Sequence, residues 1–170
     1  MFVLGPNQEI KYHVIHRTGT RSMRKFMAAI DVDNRYNYNI KPVEVCVLRD
    51  PWERFVSCWS RMRHKWRGQM ETYRIPWDDP HWMPQHTRRW HHSGITYFRY
   101  NKHVNREISL LFQRNCAIIN TSIDIDTMRE QVSLLNDDEM NFLNSIKDKV
   151  INEHFLDDYE FYNSTNYYNI

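Results

Sequence analysis

The chain has 170 residues, 41% of them apolar and 14% aromatic, with a formal net charge of +2. That length suits one domain, residues 1–170, rather than two, and the apolar and aromatic content excludes a disordered chain. No apolar run approaches the roughly 18–20 residues that span a membrane, and Gly5–Lys11 interrupts the apolar start too early for a signal peptide, so a soluble, cytoplasmic protein without a membrane partner is expected.

The elements follow in chain order. Lys11–His16 is short and partly apolar and runs into Arg-Thr-Gly-Thr, a strand entering a turn. Ser22 precedes Met23, Phe26, Met27 and Ile30, whose spacing is helical, and it suits a helix N-cap or first turn. Asp31–Tyr38 is polar and aromatic and reads as a loop. Val43–Leu48 is a β-branched run and a strand. Pro51 then opens a helix through Trp52, Phe55, Val56 and Trp59. Residues 64–92, rich in His, Trp, Arg and Pro, carry no clean period and read as a long loop with short helical pieces. Tyr97–Phe112 reads as a helix with Tyr100, Val104, Ile108 and Leu111 on one face, Cys116–Ile119 as a second short strand, and Asp126–Leu135 and Asp137–Tyr159 as two C-terminal helices. Strand–helix–strand–helix order implies an α/β fold, a short central parallel sheet with crossover helices.

The small net charge hides an asymmetry. Residues 1–110 carry 19 Lys/Arg against 10 Asp/Glu, and residues 111–170 carry 4 against 11. A basic first part attracts anions, among them phosphates, sulfates, nucleic acid and anionic polysaccharide, and charge alone does not choose between them. The three cysteines, Cys46, Cys58 and Cys116, form no CxxC pair. Cys46 lies in an apolar run as a buried thiol, which fits a reducing compartment.

Two segments suit an anionic ligand. His16-Arg17-Thr18-Gly19-Thr20-Arg21-Ser22-Met23 lies between an expected strand and an expected helix, and a helix N-terminus presents unpaired N–H groups to an anion. Gly19 lets the backbone come close to a phosphate. Thr18, Thr20 and Ser22 offer hydroxyls, and Arg17 and Arg21 offer charged forks. The segment lacks GxxxxGK[ST] and so is not a Walker A loop; the structural alternative is a glycine turn with surface arginines. In the second segment, Val45-Cys46-Val47-Leu48-Arg49-Asp50-Pro51-Trp52-Glu53-Arg54-Phe55-Val56-Ser57, a buried strand delivers Arg49 at its carboxyl end, where open α/β sheets bind ligands. Ser57 lies two turns along the helix that follows. Arg54 is a further basic candidate, or else a partner of Glu53 or Asp50.

"RTGTRSM" after a strand, followed by "VCVLRDPWERFVSCW", resembles the two donor-binding motifs of sulfotransferases that use PAPS (3′-phosphoadenosine 5′-phosphosulfate). Two further segments, His81-Trp82-Met83-Pro84-Gln85 and Leu156-Asp157-Asp158-Tyr159-Glu160-Phe161-Tyr162, are similar to stretches of the carbohydrate sulfotransferases related to the chondroitin and HNK-1 enzymes. The resemblance implies a P-loop-like three-layer fold, with PAPS as donor, its desulfated product PAP, no metal, and a carbohydrate-like or other hydroxyl-bearing acceptor. It implies that residues 17–22 hold the 5′-phosphosulfate and that Arg49 and Ser57 hold the 3′-phosphate. The chain departs from the family where Arg17 stands in place of the usual lysine. Arginine keeps the charge and the forked donors but gives up no proton near neutral pH. An acceptor hydroxyl also needs a base, and His81 is the first choice ahead of Glu71, His86, His91 and His92. Trp66, Trp77, Trp82 and Trp90 can stack on sugar rings or pack in a core, and Arg61–Arg67 can meet an anionic acceptor or form a solvated helix face. No HExxH or paired-cysteine spacing supports zinc at the loop histidines. The competing functions are a P-loop-type nucleotide kinase and a non-catalytic module binding PAP or nucleic acid.

Overall fold

The structure, a computed structural model, describes residues 2–4, 10–18, 41–70, 75, 77, 79–88, 91–101, 103–113 and 135–168. The chain divides into two units, Met1–Leu48 with Trp90–Ile125 and Thr165–Ile170, and Arg49–Arg89 with Asp126–Ser164.

The first unit is built on a sheet. Its strands are β1 (Phe2–Leu4), β2 (Ile10–His13), β3 (Val43–Leu48) and β4 (Ile95–Arg99), side by side in that order. β1 runs antiparallel to β2, whereas β2, β3 and β4 are mutually parallel. Helix α2 of this chain, Val104–Gln113, belongs to the same unit. The register pairs Tyr12 with Val45 and Val47 with Phe98. Because successive side chains alternate across a sheet, Ile10, Tyr12, Val14, Val45, Val47 and Phe98 share one face, where Val104 and Ile108 of α2 complete a buried cluster. The opposite face carries Lys11, His13, Glu44, Cys46 and Tyr97.

β4 and α2 correct the expectation of one helix over Tyr97–Phe112. Tyr100, Val104, Ile108 and Leu111 do pack together, but Ile95–Arg99 is a strand, rich in the β-branched and aromatic residues that favour one. Asn101 makes the break. Its Oδ1 accepts the His103 N–H at 2.6 Å, and its carbonyl accepts the Val104 N–H at 3.3 Å, so the chain turns before the helix starts.

The regular elements of the second unit are helices among its described residues. α1 spans Pro51–Met70, 20 residues. Pro51 occupies the first turn, where its missing N–H is harmless, and Asp50 Oδ1 caps the end by accepting the Glu53 N–H at 2.9 Å. The expected loop over 64–92 is thereby corrected at its start, since residues 64–70 continue the helix. α3 (Asp137–Val150) opens with a capping box between Asn136 and Glu139. A π-helical turn, Ile151–Phe155, carries it into α4 (Leu156–Ser164), so the helix expected to end at Tyr159 runs on to Ser164. The π turn has a packing consequence. It adds one residue to the turn, and Val150, Phe155 and Asp158 are all buried as a result of where the register then falls. Phe55 is the hub of the core, with ring centroids 5.1 Å from Trp52, 5.4 Å from Trp82, 5.9 Å from Phe155 and 6.3 Å from Trp77.

Cys46 and Cys58 are buried and form no disulfide among the described residues. No helix among the described residues is long and apolar enough to cross a membrane. The expected Ser22 helix, the Asp31–Tyr38 loop, the Cys116–Ile119 strand and the helix over 126–134 lie outside the described residues.

Candidate functional site

The first motif follows β2. Val14 and Ile15 are buried, and the chain then turns through His16, Arg17 and Thr18. Arg17 has φ = 71°, the left-handed region that costs a residue with a Cβ roughly 1–2 kcal/mol. Thr18, 1% exposed, is tied back into this turn: its hydroxyl donates to the Ile15 carbonyl at 2.8 Å and lies 3.2 Å from the Tyr12 hydroxyl. With its proton directed at Ile15, that hydroxyl accepts from Tyr12. It therefore braces the turn from within and does not supply the outward hydroxyl donor expected of it. Gly19, Thr20, Arg21 and Ser22 lie outside the described residues.

The second motif begins where β3 ends. Arg49 is buried, and Gln85 holds its peptide group from both sides: the Arg49 N–H donates to Gln85 Oε1 at 3.0 Å, and Gln85 Nε2 donates to the Arg49 carbonyl at 2.7 Å. The Arg49 guanidinium reaches Glu53, one turn along α1, at 3.5 Å. Gln85 Nε2 also lies 3.4 Å from Asp158 Oδ2, and Asp158 Oδ1 accepts the His86 N–H at 2.8 Å. Asp158 is fully buried. Tyr159 donates its hydroxyl to Asp50 Oδ1 at 3.2 Å, and burial, with Asp50 beside it, pushes that phenol well above the usual tyrosine range. The two minor sequence segments, around Gln85 and around Asp158, thus meet the second motif at Arg49 and Asp50.

Ser57 is 1% exposed and sits on the buried side of α1. Arg54, also 1% exposed, has a different occupation from either one expected of it. Its guanidinium donates to the carbonyls of His81 at 3.1 Å, Trp82 at 3.3 Å and Met83 at 2.8 Å. Burial lowers its pKa, and the Asp158 carboxylate works against that. The Arg54 guanidinium therefore fixes the 81–83 segment, and the tie of Arg54 to Asp50 is a backbone one, from its N–H to the Asp50 carbonyl at 2.9 Å.

His81 lies on the segment that Arg54 holds. Its Nδ1 is 2.7 Å from Asp79 Oδ1, and the same oxygen accepts the His81 backbone N–H at 2.8 Å. A neutral ring that donates Nδ1–H to this carboxylate carries its lone pair on Nε2, the form a general base needs. The ring is about one third exposed. The rival histidines have other partners: His86 with Asp158 at 3.4 Å, His91 with the Tyr97 hydroxyl at 2.8 Å, and His92 with Glu44 at 3.0 Å. Glu71 and Trp90 lie outside the described residues, as do the side chains of Trp66 and the Arg61–Arg67 run. Trp82 is 1% exposed in the core, and Trp77 stacks on His154 at 3.8 Å; Trp82 is packed and presents no face to a sugar.

A cluster that no sequence motif marks occupies the polar face of the sheet. Glu44 Oε2 is hydrogen-bonded to His13 Nε2 and lies 3.0 Å from His92 Nε2, while Oε1 accepts from Lys11 Nζ at 3.2 Å. Burial pushes the Glu44 carboxyl up, but the hydrogen bonds from His13, His92 and Lys11 outweigh it and bring it down to about 2. Burial lowers His13. The available signal was the alternation Lys11-x-His13 beside a single acid in an otherwise apolar β3. In the same unit a cleft of about 470 Å³ opens beyond β4, lined by Arg99, Asn101, Glu107, Tyr167 and Tyr168 among others; none of the expected site residues lines it.

No family model matches the chain, and neither the curated proteins nor the solved structures include a significant match.

Proposed function

We propose that the chain is a PAPS-dependent sulfotransferase of the P-loop-like three-layer type, transferring a sulfuryl group to a hydroxyl of a carbohydrate-like acceptor. The observation that carries this reading is the setting of Arg49. It stands at the junction of a parallel strand and a proline-initiated helix, with Ser57 eight residues on, and Gln85 grips its peptide group on both sides. Two segments remote in sequence, both similar to parts of carbohydrate sulfotransferases, contribute Gln85 and Asp158 to that setting. In chain order the first motif follows β2 and the second follows β3, and α/β sheets bind ligands at the carboxyl ends of their strands.

In the reaction the acceptor oxygen attacks sulfur, the bond from sulfur to the phosphate oxygen of the donor breaks, and PAP departs with the bonding pair. The acceptor proton passes to His81 Nε2, while Asp79 holds the ring in the receptive tautomer. Arg17 stabilises the charge that grows on the leaving phosphate. Such transfers rest mainly on positioning and charge.

The test is ligand protection in a thermal melt with EDTA present. PAP at 100 times its Kd should add about 2.7 kcal/mol. Arg49→Ala should lose about 2–3 kcal/mol of PAP affinity, roughly 30- to 140-fold, and little affinity for adenosine 5′-phosphate, which lacks the 3′-phosphate. A melt indifferent to millimolar PAP but raised, in a parallel sample without EDTA, by ATP with Mg²⁺ would transfer the chain to the kinase reading; a response to oligonucleotide alone would make it a nucleic-acid module.

A further inference from the structure

We propose that His13, Glu44 and His92 form a binding site for a divalent transition metal of the Zn²⁺ type, with His13 Nε2, Glu44 Oε2 and His92 Nε2 as the protein ligands. One donor atom from each of the three residues lies within 4.8 Å of the other two. Two imidazoles and one carboxylate are a donor set that zinc favours and magnesium does not. The inference is independent of the donor and acceptor reading above.

The scaffold brings the three together from separate elements of one unit. β2 supplies His13 and β3 supplies Glu44, on neighbouring parallel strands whose register pairs His13 with Cys46, two residues beyond Glu44. His92 comes from the turn that leads into β4. Zinc bonds of about 2.0–2.2 Å at tetrahedral angles require donor atoms roughly 3.3–3.5 Å apart. The His92–Glu44 separation of 3.0 Å is already close to this, so the ion enters by small displacements of side chains and not by movement of strands. Lys11 occupies Oε1 at 3.2 Å, which leaves Oε2 as a single, oriented ligand atom. His13 is 3% exposed, whereas the His92 side chain is 48% exposed. The site is therefore anchored at one end and open at the other, where an ion can enter and a water can complete four-coordination.

The metal-free cluster is held by protons. Both imidazoles face the same carboxylate oxygen, and the N–H groups between them are what a metal ion replaces. For His92 the exchange has a local consequence. The Gly94 N–H now points at His92 Nδ1 from 3.0 Å, so the ring proton sits on Nε2. A metal on Nε2 sends that proton to Nδ1, and two N–H groups then confront each other. Ser93 and Gly94 are exposed, and this turn is the part that gives way.

The experiment uses the full chain, free of any affinity tag and stripped with EDTA. Zn²⁺ is titrated against a chromophoric chelator near pH 7, with Mg²⁺ as the comparison ion. One equivalent of Zn²⁺ should bind, with a rise in melting temperature and a large shift of the Gly94 amide resonance. His92→Ala, at an exposed position that the fold tolerates, and Glu44→Gln should each weaken binding at least tenfold. Lys11→Met, which removes a competing cation, should strengthen it several-fold, and His103→Ala, at an exposed histidine outside the cluster, should change nothing. Failure to take up one equivalent would overturn the proposal, as would affinity that survives both His92→Ala and Glu44→Gln.

Discussion

Arg54→Met separates two roles that one sequence position offers. If Arg54 were a phosphate ligand, its loss would weaken PAP binding and leave the fold nearly untouched. The structure argues the reverse. The guanidinium is buried and donates to three carbonyls, of His81, Trp82 and Met83, at 3.1, 3.3 and 2.8 Å. A hydrogen bond to a charged group contributes about 1.5–3 kcal/mol, but three that share one guanidinium do not add, and His81 and Met83 are half-buried, so water partly replaces the donor there. The buried Asp158 carboxylate also loses the positive charge that Arg54 places near it, and breaking a buried charge pair typically costs about 3–5 kcal/mol. Methionine keeps the packing of the stem. The net loss should be about 4 kcal/mol, which in a chain of this size lowers the melting temperature by about 8–16 °C. Arg54→Lys should lose roughly half as much, because an ammonium keeps the charge but lacks the planar fork that spans three carbonyls. Calorimetric melting measures the first effect, and PAP titration well below the lowered melting temperature measures the second. A drop of under about 3 °C together with lost PAP affinity would refute the assignment and restore Arg54 to the ligand site.

Three further outcomes follow from the same geometry. His81→Ala should lower kcat by about 10²–10⁴ with PAP affinity unchanged, and Asp79→Asn should lower it in the same direction by upsetting the tautomer; joint loss of melting stability and PAP affinity would instead mark His81 as structural. Arg17→Gly should raise stability by about 0.5–1 kcal/mol in a urea titration, since relief of the left-handed backbone exceeds the entropy glycine adds to the unfolded chain, while turnover falls; Arg17→Lys should keep turnover, and a destabilised Arg17→Gly variant would contradict the strain argument. In EDTA, stability should fall on acidification. His13, with its pKa lowered by burial, acts first below 6.5. Glu44 acts between 4.5 and about 2, because folded Glu44 binds fewer protons than unfolded Glu44 throughout that window. An equal loss between pH 5 and pH 3 in wild type and Glu44→Gln, read from urea midpoints, would dissociate Glu44 from that fall.

Local chemistry made part of this protein legible. β3 occupies the β-branched run Val43–Leu48 and α1 starts at Pro51, because a buried strand and a proline-initiated helix each carry their signal within a few residues. The C-terminal helix likewise starts at the expected Asp137, where the structure shows a capping box between Asn136 and Glu139. Where the reading failed, two signals competed. Tyr100, Val104, Ile108 and Leu111 have helical spacing and do share a cluster, yet the Asn101 turn separates the first from the rest. Residues 64–70 lack a clean apolar period, and α1 continues through them all the same. The π turn at Ile151–Phe155 has no composition of its own; it is a matter of register between Val150 and Asp158.

The candidate site was less legible than the fold, for a reason visible in its hydrogen bonds. Gln85 and Asp158 are separated by 73 residues, and Arg54 and Met83 by 29. Nothing in the neighbourhood of either partner announces such a bond. Each becomes intelligible only when burial is known, since a buried carboxylate, amide or guanidinium without partners is costly, and each of these groups finds its partners on another element. The arrangement is consistent from one group to the next: Arg54 fixes the 81–83 carbonyls, the segment so fixed carries His81 and leads to Gln85, and Gln85 grips the peptide of Arg49. Substitutions along this chain of contacts should therefore couple, and a double-mutant cycle between Arg54→Met and Gln85→Leu should show an interaction energy of about 0.5–3 kcal/mol. Strict additivity would mean that the 81–85 segment holds its conformation without Arg54 and that the two contacts are independent.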